Sequence, residues 1–151
     1  MDRPIIIDIP VHVDDRGSVY GAFDNLDRFG IKRTYVIRNW QHGTIRAWHG
    51  HMKAGTFIHP IKGTAKICAL EILSEEEQIS REPEVVGATL SAAKPQLFYI
   101  PPGWYNGTMT LQEDTRLLCY STLSLEEVKD DDVRKKITSA EKKSIWNVRD
   151  R

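Results

Sequence analysis

No long apolar run occurs in this sequence. Its N-terminal stretch Ile5-Ile6-Ile7 is cut off by Asp8, well short of the roughly 7–15 apolar residues of a secretory signal or the ~20 of a membrane helix. No membrane partner is therefore expected. Cysteine is scarce as well. Cys68 and Cys119 lie far apart, with no Cys-x-x-Cys spacing, so a disulfide framework is not expected and a reducing cytoplasm is the expected compartment. Each sits in an apolar segment (Ile67-Cys68-Ala69-Leu70 and Leu117-Leu118-Cys119-Tyr120) and reads as a small core residue. Charge of one sign is not in excess either: 21 Lys+Arg stand against 21 Asp+Glu, with no long basic run. A nucleic-acid partner accordingly has no electrostatic footprint here. A Gly-rich phosphate loop and a βαβ rhythm are also missing, which argues against dinucleotide-binding and P-loop folds.

What is present is 151 residues, 40% hydrophobic and 28% charged. That composition fits one globular domain over 1–151, large enough for a core without disulfides or structural metal. Short β-type segments run to about residue 123, at 4–8, 18–23, 33–39, 43–51, 56–61, 64–72, 85–90, 96–100, 107–111 and 115–122. Turn chemistry separates them, as at Asp15-Arg16-Gly17, Lys62-Gly63 and Pro101-Pro102-Gly103. Such spacing predicts an all-β barrel or sandwich. The acidic, proline-containing stretch 74–84 reads as an exposed loop. From Ser124 the pattern turns helical: Ser124-Leu125-Glu126-Glu127 has the form of a capping box. The tail 124–151 is highly charged up to Ile145-Trp146, and a tryptophan there is expected to dock on the domain or a partner subunit.

The densest polar cluster is Gly43-Thr44-Ile45-Arg46-Ala47-Trp48-His49-Gly50-His51. Residues two apart share a strand face, so His49 and His51 point the same way, whereas regular alternation puts Arg46 on the other face. The order Gly43, His49, His51, Gly63 resembles the first cupin motif, and Phe98 through Gly107, with its Pro-Pro-Gly turn, resembles the second. Together they imply an all-β cupin (jelly-roll) antiparallel β-barrel with a short C-terminal helical segment. Metal-dependent cupins use two His and a Glu from the first motif and a His from the second. Here the last two positions carry Thr56 and Asn106. A hydroxyl and an amide are poor replacements around a transition metal, so neither a metal nor another cofactor is expected.

Further pieces occur in the order seen in one cupin branch. Asp14-Asp15-Arg16-Gly17 with Phe23, Arg46 to His49, Ile100-Pro101-Pro102-Gly103, the strand around Tyr120, and Glu126 to Asp132 followed by Ile145-Trp146 together resemble the dTDP-4-dehydrorhamnose 3,5-epimerase family. The resemblance implies a metal-independent epimerase that inverts C3, C5 or both in a nucleotide-linked 4-keto sugar, within deoxysugar or surface-polysaccharide synthesis. It implies His49 as the base, Asp131 (or its neighbour Asp132) as the carboxylate orienting it, and Tyr120 as the acid. Arg16 and Arg46 would grip the diphosphate, with Phe23, His51, Thr56 and Asn106 completing the substrate site. Thr56 falls where the family has a lysine near the keto oxygen. The family also implies a homodimer exchanging N-terminal strands, which Pro4-Ile5-Ile6-Ile7 would supply. Arg46-x-x-His49-x-His51 also resembles the cupin 3,4-ketoisomerases of nucleotide sugars, and a non-catalytic sugar-binding cupin is a third reading.

Overall fold

Alternation of inward and outward side chains builds two sheets. The computed structural model describes residues 2–148. Its strands are β1 (Ile5–Asp8), β2 (Val11–Asp14), β3 (Gly17–Tyr20), β4 (Arg33–Arg38), β5 (Ile45–His51), β6 (Thr56–Lys62), β7 (Thr64–Glu71), β8 (Val85–Ser91), β9 (Gln96–Ile100), β10 (Trp104–Thr110), β11 (Arg116–Ser121) and β12 (Val133–Arg134). One sheet has the order β1-β9-β6-β11-β4, the other β12-β5-β10-β7-β8, and β2-β3 is a separate hairpin. The sheets face each other as an antiparallel jelly roll. No ladder joins them among the described residues, so the barrel is flattened into a sandwich.

Ile58, Ile67, Leu90, Phe98, Leu117 and Cys119 fill the space between the sheets. Their period-2 partners form two outer layers. Outside the first sheet, Ile9, Ile31, Phe57, Leu97 and Tyr120 pack with Phe23 and Tyr99. Outside the second, Trp48, Cys68, Leu70 and Met109 pack with Trp146. Both cysteines are buried and free, as their apolar settings suggested.

The tail folds back on the second sheet. Trp146 is 4% exposed and its ring lies 5.2 Å from that of Trp48. A Cβ on Gly107 would stand 2.7 Å from the Trp146 ring, so glycine at this position lets the indole reach the sheet. The helices are short: α1 (Glu75–Ser80), α2 (Leu125–Val128) and α3 (Ser139–Ser144). Each starts with a capping box, at Ser74, Ser124 and Thr138.

The stretch 74–84 is thus not simply a loop. Ser74-Glu75-Glu76-Glu77 repeats the capping pattern of Ser124, and its acidic first turn suits a helix N-terminus. Arg81 then anchors the segment with two 2.8 Å bonds to the buried Glu71, whose carboxyl is held down to about 2 by that guanidinium. The short strands β2 and β12 were also absent from the sequence reading.

Candidate active site

The site is built where β4, an edge strand of the first sheet, faces β5 and β10 of the second. A cleft of about 350 Å³ opens there, and α2 forms its rim. That volume suits a small organic ligand.

His49 and His51 both line the cleft from β5. Arg46 joins them, against the alternation expectation, because β5 is bulged opposite β10. Asn106 pairs with His49 and Thr108 with Arg46, so three steps on β5 match two on β10. The extra residue lets Ala47 and Trp48 both turn to the outer layer. Asn106 thereby stands directly across from His49, and Arg134 flanks His49 on the other side through the β12 pairing.

The cleft is basic. Arg33, Arg46, Lys129 and Arg134 line it against the single carboxylate of Asp132. Arg46 is oriented through its Nε, which donates to Asn39 Oδ1 at 2.7 Å, and Arg134 pairs with Asp132 at 3.0 Å. Two buried polar atoms in this wall, Arg33 Nε and Thr108 Oγ1, have no hydrogen-bond partner among the described residues. Unpaired buried polar groups are uncommon, and together with the excess cationic charge they mark a surface shaped for a polar, anionic ligand.

The two histidines are held differently. Burial pushes the His49 pKa below its ordinary value; Arg134 reinforces this and Asp132 opposes it. His49 is therefore neutral near pH 7, the form that accepts a proton. His51 is fixed by the main chain: its Nδ1 lies 2.9 Å from the carbonyl oxygen of Asp131. The Asp131 carboxylate, 5% exposed, accepts from the backbone N–H groups of Met52, Lys53 and Ala54. So Asp131 braces the β5–β6 connection and orients His51, not His49. The carboxylate beside His49 in the cleft is Asp132.

Four other residues expected at the site lie elsewhere. Tyr120 faces outward, because Leu117 and Cys119 take the inward positions of β11 and the alternate residues point away. Its hydroxyl meets the buried His59 Nε2 at 3.1 Å, outside the first sheet. Phe23 packs edge-on against Tyr120, ring centroids 4.8 Å apart, in that same outer layer. Arg16 sits at the tip of the β2–β3 hairpin, its side chain 89% exposed and paired with Asp14 at 2.6 Å. Thr56 is buried on β6, which lies in the middle of the first sheet, whereas the cleft opens at the β4 edge.

Sequence reading missed Arg33 and Tyr35, which line the cleft from β4. The signal was available: Arg33, Tyr35 and Ile37 share one face of a regularly alternating strand, and the burial pattern follows. The Arg33 guanidinium lies 4.5 Å from the centre of the Tyr35 ring. Among the described residues no three His, Cys, Asp or Glu side chains stand close enough to hold a metal ion.

A jelly roll whose open edge carries a basic, two-histidine cleft is a cupin, and within that class the sequence places it further. The family model for dTDP-4-dehydrorhamnose 3,5-epimerase matches residues 1–142, and the chain belongs to that family. No curated protein matches the sequence. Among solved structures, the fold is similar to the Legionella pneumophila dTDP-6-deoxy-D-glucose-3,5-epimerase RmlC in complex with dTDP-4-keto-L-rhamnose, at TM-score 0.73 and 21% identity, over 89% of this chain and 73% of that one. It is also similar to the Bacillus anthracis dTDP-4-dehydrorhamnose 3,5-epimerase with TDP and PPi bound, at TM-score 0.71 and 19% identity, over 87% and 77%. The 3'-monoepimerase ChmJ of Streptomyces bikiniensis, in complex with dTDP-quinovose, matches at TM-score 0.70 and 15% identity, over 87% and 68%.

Proposed function

We propose that the chain is an isomerase that epimerises a nucleotide-linked 4-keto sugar in deoxysugar synthesis. The observation that carries this reading is His49, kept neutral by burial within a cleft lined by Arg33, Arg46, Lys129 and Arg134. The cationic side chains suit a diphosphate, for which planar guanidinium groups are well matched. The bound dTDP sugars and the TDP in the relatives' structures support the same ligand class.

The chemistry needs a base beside a carbon next to the keto group. His49 removes that proton, the C–H electrons form an enolate double bond, and the carbonyl electrons move onto the oxygen. Asn106, across from His49, offers an amide N–H to the developing charge. Proton return to the opposite face inverts the carbon. Expected general-base contributions are ~10²–10⁴-fold. Turnover of dTDP-4-keto-6-deoxyglucose by the purified chain, followed by NMR for inversion at C3 or C5, tests the reading; absence of exchange and inversion alike refutes it.

A 3,4-ketoisomerase is the second reading, and one observation favours it. His49 and His51 lie on the same wall, where two bases pass a proton between adjacent carbons on one face of the sugar.

The proposal extends to assembly. The β2–β3 hairpin pairs with no other strand among the described residues, and Val13 and Val19 are 70% and 74% exposed on its two faces. A lone hairpin is marginal in water. With Ile5, Ile6 and Ile7 of edge strand β1 also exposed, this apolar N-terminal region supports a homodimer. No helix among the described residues is long and apolar enough to cross a membrane, and two buried free thiols fit a cytoplasmic setting.

A further inference from the structure

Within the proposed epimerase reading, on which this inference rests, one task lacks a group. Inversion requires a proton donor facing the base from the other side of the sugar. Tyr120, expected in that role, points out of the sandwich and bonds to His59. His51 shares the β5 wall with His49, so it reaches the same face of a bound ring and not the opposite one.

The opposite wall is β4. Its cleft-facing residues are Arg33, Tyr35 and Ile37, and of these only Tyr35 carries a proton that can be given up near neutral pH. We infer that Tyr35 is the catalytic acid of this site, delivering a proton from the β4 wall to the carbon that His49 deprotonates from the β5 wall.

Local chemistry fits the role. Tyr35 is the cross-strand partner of Cys119, so ring and thiol project inward together from neighbouring strands. Burial pushes the phenol up to about 12 and the Cys119 thiol also up to about 12. Both therefore hold their protons in the resting enzyme. Arg33, lying over the Tyr35 ring, opposes the burial effect and favours the phenolate left behind. The step balances: the phenol O–H bond breaks, its proton bonds to the enolate carbon, and the enolate electrons restore the carbonyl. The products are an epimerised ketone, a phenolate and the imidazolium on His49. Proton loss from the imidazolium to solvent and gain by the phenolate reset the site. Because acid and base stand on opposite walls, each productive cycle inverts the carbon.

The test uses dTDP-4-keto-6-deoxyglucose in D2O with wild-type, Tyr35→Phe and Tyr120→Phe proteins, each first shown to bind dTDP. Tyr35→Phe is expected to lose at least ~10²-fold in inversion while solvent deuterium still enters at the exchanged carbon with configuration retained. Tyr120→Phe is expected to invert within about threefold of wild type. Inversion by Tyr35→Phe within tenfold of wild type overturns the assignment, as does an equal loss of exchange and inversion. Neither result touches the epimerase reading, which falls only if the wild-type protein shows no exchange. A fluorinated tyrosine at position 35, nearly the same shape but more acidic, supplies a second measurement should the phenylalanine protein fail to bind dTDP. The alkaline limb of the inversion rate is expected to move to lower pH, and an unmoved limb overturns the inference.

Discussion

His51 Nδ1 lies 2.9 Å from the main-chain carbonyl oxygen of Asp131. A carbonyl only accepts, so the proton sits on Nδ1 and the lone pair of the neutral ring is left on Nε2. His49 lacks that tether and owes its neutrality to burial and to Arg134. Two imidazoles on one strand are thus prepared in different ways, and replacing each separates the two readings.

In the epimerase reading, His49→Asn lowers solvent-deuterium uptake by at least ~10²-fold, and His51→Asn lowers it by at least tenfold less. Equal losses, with the keto group appearing at C3, identify a ketoisomerase. NMR of the sugar after incubation in D2O reads both outcomes.

The pH profile follows from the His49 shift. Its neutral form is the active one, and its pKa is lowered from 6.5. The kcat/KM for proton exchange should therefore decline as pH falls, with its midpoint below pH 6.5. A decline centred above pH 6.5 contradicts the account.

Stability carries a related signature. His59 is 2% exposed and burial lowers its pKa. The unfolded chain then takes up a proton at higher pH than the folded one, so stability present above the unfolded value of about 6.5 drains away as pH falls toward the folded value. Urea midpoints should drop between pH 7 and 5, and His59→Gln should flatten that drop.

Asp131 is assigned a bracing role that sequence alone pointed elsewhere. Asp131→Ala strands the N–H groups of the exposed Met52 and Lys53 and of the buried Ala54, the last at about 1–3 kcal/mol for a buried donor left unpaired. Chemical denaturation should show a loss of at least ~1 kcal/mol. Asp132→Ala, in an exposed pair with Arg134, should cost under ~1 kcal/mol.

Much of the fold was legible because it depends on local pattern. Alternation marked most strands, turn residues separated them, and the capping box at Ser124 marked the start of α2. The His49–His51 pair was legible for the same reason. What could not be read depends on pairing at a distance. Arg46 reaches the cleft through a register shift against β10, which no run of residues announces. Asp131 meets His51 across 80 positions of sequence. Tyr120 was placed in the site from motif order, yet its facing is set by Leu117 and Cys119 entering the core. Family order named the strand; packing chose which side chain of the region looks into the cleft.

The central claim is that His49, in its basic cleft, removes a proton beside the keto group of a nucleotide sugar. The most direct measurement incubates wild-type and His49→Asn proteins with dTDP-4-keto-6-deoxyglucose in D2O and follows deuterium at C3 and C5 by NMR. The account predicts deuterium with inversion at one or both carbons for the wild type, and at least ~10²-fold slower uptake for His49→Asn. Uptake by His49→Asn at the wild-type rate, or none by the wild type, would contradict it.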